Sequence, residues 1–70
     1  MVIFESLSGA KINIDTDNID EAIFKLQTDK VITKVNNLQI QTRSKKAVVY
    51  TGDFHMVDGS VKTMYVTVKE

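Results

Sequence analysis

Apolar and polar residues alternate along most of this chain, with one interruption by a helical beat. The first apolar segments are Val2-Ile3-Phe4 and Ile12-Asn13-Ile14, with the turn pair Ser8-Gly9 between them. Glycine takes positive φ without steric penalty, so a hairpin with strands near 2–7 and 10–15 is predicted. Two registers fit. A two-residue turn sets Ile3 against Ile14, whereas a three-residue loop sets Phe4 against Ile12 and Val2 against Ile14.

The change of beat follows. Ile19, Ala22, Ile23 and Leu26 recur at i, i+3, i+4 and i+7, one stripe of a helix. Asp17 or Asn18 can cap its start. Asn18 with Glu21 three residues on resembles a capping box, and Asp20 and Glu21 put negative charge at the positive end of the helix dipole. The pattern predicts a helix over about 18–29.

From Val31 the period returns to two. Leu38, Ile40 and Thr42 alternate with Gln39, Gln41 and Arg43, Val48, Tyr50, Phe54 and Met56 share a parity with Gly52, and Met64, Val66 and Val68 form a last row. Directly opposed residues of an antiparallel pair share a face. Three even-numbered rows therefore require odd-length loops. A three- or five-residue connection is expected at Asp58-Gly59, against the pull of Asp-Gly toward a two-residue turn, and an odd-length loop around Ser44-Lys45. Val31 and Val35 have the wrong parity for Leu38 and Ile40. Either a bulge at Asn36-Asn37 resets one long strand, the preferred reading, or the two asparagines form a tight turn.

The assembled expectation is an α+β fold, one domain over 1–70. It is a two-layer structure with a mainly antiparallel sheet of about five strands (ββαβββ) packed on one helix. The second sheet face then carries Gln39, Gln41, Thr51, Asp53, His55, Thr63, Tyr65 and Thr67.

Composition narrows the function classes. Val, Ile and Thr supply 23 of the 70 residues, which favours strands over helices. Nine basic residues balance nine acidic ones, so the whole chain has no built-in attraction to nucleic acid or to an anionic membrane. The absence of cysteine removes disulfides and thiolate chemistry together, which leaves self-association or a partner as supports for a small core. Met1-Val2-Ile3-Phe4-Glu5 lacks the basic start and apolar run of a secretory leader, so a cytoplasmic location is expected. Abundant Lys, Asn, Asp, Ile and Thr beside a single Arg suit an AT-rich bacterial or phage gene.

The candidate chemistry is sparse. Asp15, Asp17, Asn18, Asp20 and Glu21 form the densest acidic cluster, but counting from Asp15 puts Asp20 where an EF-hand needs glycine and Leu26 where it needs glutamate. Neither a metal nor a cofactor is expected. His55 and Asp53 share a face, yet no nucleophile with a strand-to-helix elbow accompanies them, so catalysis is not expected. Gly9, Gly52 and Gly59 are isolated and make no phosphate loop.

What remains is contact. Phe24 lies off the apolar helix stripe by about 140° at the helical period, and an exposed Phe can anchor a partner. Phe24, Tyr65 and His55 are the candidate partner-binding residues. The expected function is a non-catalytic interaction module that binds another protein or itself, as a homodimer, through an exposed sheet edge, Phe24 or the polar sheet face. The runner-up is a weak nucleic-acid binder using the basic hairpin tip Arg43, Lys45 and Lys46.

Overall fold

The helix begins where the side chains dictate. In the computed structural model, which describes residues 1–69, Asn18 is the N-cap of α1 (Ile19–Thr28), and its Oδ1 accepts from the backbone N–H groups of Asp20 and Glu21 at 2.9 and 3.2 Å. That occupies two of the donors a helix start leaves unpaired. Asp17 has another task, receiving the N-terminal ammonium of Met1 at 3.0 Å.

The helix ends against expectation for its residue type. Val31 N–H donates to the Leu26 carbonyl and Lys30 N–H to the Gln27 carbonyl, the paired bonds of a Schellman motif, with Lys30 at φ 60°. Glycine usually fills that left-handed position, and a side chain there carries a penalty. Lys30→Gly is therefore expected to raise the unfolding free energy by about 1 kcal/mol, read as an increased urea midpoint at unchanged m-value.

Five strands make one antiparallel sheet. They are β1 (Val2–Ser6), β2 (Lys11–Ile14), β3 (Ile32–Arg43), β4 (Ala47–Met56) and β5 (Val61–Lys69), in spatial order β2-β1-β5-β4-β3. The first hairpin takes the register of the three-residue loop, with Val2 opposite Ile14 and Phe4 opposite Ile12. Its loop and the β4–β5 loop are built alike. Gly9 N–H reaches the Ser6 carbonyl and Gly59 N–H the Met56 carbonyl, with both glycines near φ 93–94°. Of the three- or five-residue connections expected at Asp58-Gly59, the shorter is present, because parity overrides the local preference of Asp-Gly.

β3 is one strand through Asn36-Asn37, bent by bulges. Its twelve residues face only the nine from Val48 to Met56, and the register shifts after Ile32, after Asn36 and after Ile40. Each surplus residue flips the inward parity. Ile32 faces Met56, Val35 faces Phe54, Ile40 faces Tyr50 and Arg43 faces Val48. The last shift corrects two expectations. Thr42 lies opposite Val49, so it leaves the row of Leu38 and Ile40 for the other face. At the Ser44 turn, odd residues oppose even ones, with Ser44 N–H bonded to the Ala47 carbonyl. The parity argument failed there because it assumed an unbroken strand.

Buried residues collect under the helix. Val2, Phe4, Ile14, Ala22, Leu26, Ile32, Phe54, Met64 and Val66 form the core, and Ile19, Ile23, Tyr50 and Val68 pack around it. The helix covers one sheet face only. Its ten residues reach about 15 Å at the usual rise, whereas the molecule is 36 Å long. Ile40, inward-facing on the outermost strand, stays 45% exposed for that reason.

Candidate functional site

The registers lay out the sheet face opposite the helix row by row. Lys34, His55 and Val61 form the first row, followed by Asn36, Asp53 and Thr63. The middle row crosses all five strands as Gln39, Thr51, Tyr65, Glu5 and Lys11. Beyond it come Thr42, Val49, Thr67, Ile3 and Asn13. This face is less polar than expected. Ile3 and Val49 flank Thr67 and are half-buried by their neighbours, Tyr65 is 44% exposed and Val61 is 55% exposed. Exposed Leu7 lies at the same end as Val61.

Sequence reasoning missed Ile3, Val49 and Val61. Each is odd-numbered inside or beside an even-numbered apolar row, so each reads as an ordinary part of a β-branched run. Their parity was the available signal. An odd-numbered Val between Val48 and Tyr50 has to face away from the helix.

The polar end of the face carries several side-chain hydrogen bonds between strands. Asp53 accepts from Asn37 Nδ2 at 2.9 Å and from Thr63 Oγ1 at 3.1 Å, one bond to each carboxylate oxygen. Asn36 Nδ2 lies 3.0 Å from His55 Nε2. Gln41 Nε2 donates to Thr51 Oγ1 at 2.9 Å. The bulge at Asn37 makes this possible, since its left-handed backbone (φ 56°) sets two consecutive asparagines within reach of β4. Both carboxylate oxygens of Asp53 and the Nε2 of His55, adjacent on one strand face, are engaged by these neighbours.

The Asn37 amide, then the Thr63 hydroxyl, hold the Asp53 carboxyl below the usual carboxylate range, with the nearby His55 adding to the effect. The Ser60 hydroxyl and backbone N–H do the same for Asp58. Both are carboxylates whose folded-state pKa is depressed. Their stabilisation is complete above the unfolded value of about 3.9 and is lost as pH falls through the lower folded values. Thermal melts are therefore expected to fall more steeply below about pH 4 for the parent chain than for Asp53→Asn, with the two acid limbs converging at the lowest pH.

The other candidates are scattered. Phe24 is 67% exposed and lines a shallow groove of about 330 Å³ with Ile14, Thr16, Glu21 and Thr28, on the helix side of the molecule. Arg43, Lys45 and Lys46 are exposed at the β3–β4 turn, and Lys69, opposite Ala47, comes to the same end of the sheet. Tyr65 and His55 share the open face but lie in different rows, so they form no single cluster.

Both sheet edges are poor templates for strand addition. β2 offers four residues, and β3 is interrupted by three register shifts, which twist an edge away from a straight partner. Among the described residues, no helix is long and apolar enough to cross a membrane and no group of three or more His, Asp or Glu side chains is placed to hold a metal ion. No family model, curated protein or solved structure matches the chain.

Proposed function

We propose that the chain is a non-catalytic interaction module that binds protein through the sheet face the helix leaves bare. The observation that carries this reading is the composition of that face, where Ile3, Val49, Val61 and Tyr65 stand among Thr51, Thr63 and Thr67. Tyrosine is among the residues that most often anchor an interface, and the half-buried Ile3 and Val49 beyond it add apolar area. The engagement of His55 and Asp53 by Asn36, Asn37 and Thr63 argues in the same direction, since it leaves the two groups tied into the scaffold. The bulged and short edges favour the face over the edges.

Affinity capture with parent, Tyr65→Lys and Phe24→Ser baits tests the reading. A protein retained by the parent and by Phe24→Ser but lost by Tyr65→Lys supports it. Loss only with Phe24→Ser transfers binding to the helix groove and sinks the open-face reading.

A second reading keeps nucleic acid at the hairpin tip, because Lys69 joins Arg43, Lys45 and Lys46 there. Four cations give a modest salt slope and weak affinity. Titration with single-stranded and duplex DNA and RNA at low salt tests it. Binding that Lys45→Ala and Lys46→Ala abolish supports this reading, and no binding removes it.

A further inference from the structure

We infer that the tip of the β3–β4 hairpin exchanges between two registers that differ by the single residue Gln41, and that the exchange carries Arg43 from one face of the sheet to the other. This stands apart from the open-face reading. Three observations carry it. The first is that nothing buried fixes the register here. Thr42 and Arg43 are both exposed, Thr42 opposite Val49 on the open face and Arg43 opposite Val48 on the helix side. Register is firmly specified only where one face is buried, so swapping their faces loses no core contact.

The second is the loop. Ser44 N–H bonds to the Ala47 carbonyl, so Lys45 and Lys46 alone join the strands. A two-residue hairpin loop favours a primed turn, which needs positive φ and so glycine or asparagine. Among the described residues positive φ occurs at Gly9, Lys30, Asn37 and Gly59, and at neither lysine of this loop. The tip is therefore closed by a turn whose twist opposes that of its strands. The bond that normally closes such a turn, from Ala47 N–H to the Ser44 carbonyl, is replaced by one to the Ser44 hydroxyl at 3.2 Å.

The third is that an unbulged register fits the same strands. With Gln41 drawn into the ladder opposite Val49, Thr42 falls opposite Val48 and Arg43 opposite Ala47. The loop becomes Ser44-Lys45-Lys46, built like Leu7-Ser8-Gly9 and Val57-Asp58-Gly59, where Ser6 N–H bonds to the Ala10 carbonyl and Met56 N–H to the Ser60 carbonyl. Lys46 then takes the left-handed place of Gly9 and Gly59, which counts against this register, but the chain already holds a lysine in that conformation at Lys30. One register thus carries a bulge and a misfit turn, the other a left-handed lysine. The exchange gathers Arg43, Ala47 and Lys69 into one row of the open face, so the occupancy of the two registers sets how basic that rim is.

The chain has no cysteine, so introduced pairs report each register cleanly. Opposed residues at non-hydrogen-bonded positions have Cα atoms about 4.5 Å apart, within disulfide reach, whereas side chains on opposite faces point apart. Arg43→Cys with Val48→Cys reports the bulged register, and Thr42→Cys with Val48→Cys the unbulged one. Closure within the monomer is read by mass spectrometry after equilibration in a glutathione buffer, with circular dichroism showing the fold intact. Both pairs are expected to close, the second to a smaller extent. Ser44→Ala removes the hydroxyl that holds the bulged turn and is expected to raise closure of the second pair relative to the first about fivefold. Deleting Gln41 removes the residue that slips and is expected to abolish closure of the second pair while leaving the first. A second pair that stays reduced where the first closes overturns the inference. So does a second pair that still closes without Gln41, because the tip would then be fraying, with no second register.

Discussion

Replacing Phe54 with alanine is expected to lower the unfolding free energy by about 3–5 kcal/mol, the largest loss any single truncation should produce in this chain. Phe54 is fully buried near the C-terminal end of β4, and its ring meets Phe4 edge to face at 5.7 Å, with planes 87° apart. The two rings come from strands separated by β5, so together they bridge three strands beneath the helix. Alanine removes the buried ring, forfeits the aromatic contact and opens a cavity lined by residues that β-sheet hydrogen bonding holds apart. Single-core domains of this size rarely exceed about 3–5 kcal/mol in total. Phe54→Ala should therefore be largely unfolded at 25 °C, while Phe54→Leu keeps enough volume to give a measurable, lowered urea midpoint. Near-parental melting of the alanine variant would show that Phe54 does not sit in the core.

Much of this was legible because the chain obeys its periods. Leu26, Phe4, Phe54 and Val66 follow from parity and helical spacing alone. The length of the β4–β5 loop follows from parity against a contrary local signal. What was not legible traces to β3. Three surplus residues leave no sequence mark beyond Asn37, because Thr33 and Gln41 are ordinary strand residues. Each bulge flips every side chain after it, so Thr42 and the Ser44 turn were misplaced together by one unseen residue at Gln41. Phe24 was read correctly as exposed, since a helix face depends on local spacing. Tyr65 and His55 were placed on the right face, but their apolar neighbours were not. Ile3 and Val49 became part of a surface once five strands had been ordered, and strand order is a long-range property that alternation along one strand does not encode.

Strand order and the middle bulge also set the second large effect, at Gly52. Gly52→Val is expected to lower the unfolding free energy by about 3 kcal/mol, although valine is the better strand former. A β-carbon at Gly52 would stand 3.1 Å from Leu38 Cδ1, 3.2 Å from Val35 Cγ1 and 3.4 Å from Phe54 Cε1. Two residues of β3, Asn37 and Leu38, occupy the place opposite one residue of β4. The bulge thus turns Leu38 down onto the glycine, and the missing side chain makes room for the extra one. A single methyl meets only side-chain tips, which can yield by a few tenths of an ångström, and alanine also reduces the freedom of the unfolded chain. Gly52→Ala is therefore close to neutral. The branched methyls of valine find Val35, Leu38 and Phe54 on three sides. If this is the cause, truncating Leu38 relieves it. The double variant Leu38→Ala, Gly52→Val should lose clearly less stability than the two single losses added, a coupling that urea titration of the four proteins measures directly. Additive losses, or a Gly52→Val protein as stable as the parent, would mean that the bulge does not press Leu38 onto β4, and the face on which the asparagine pair meets Asp53 and His55 would have to be rebuilt with it.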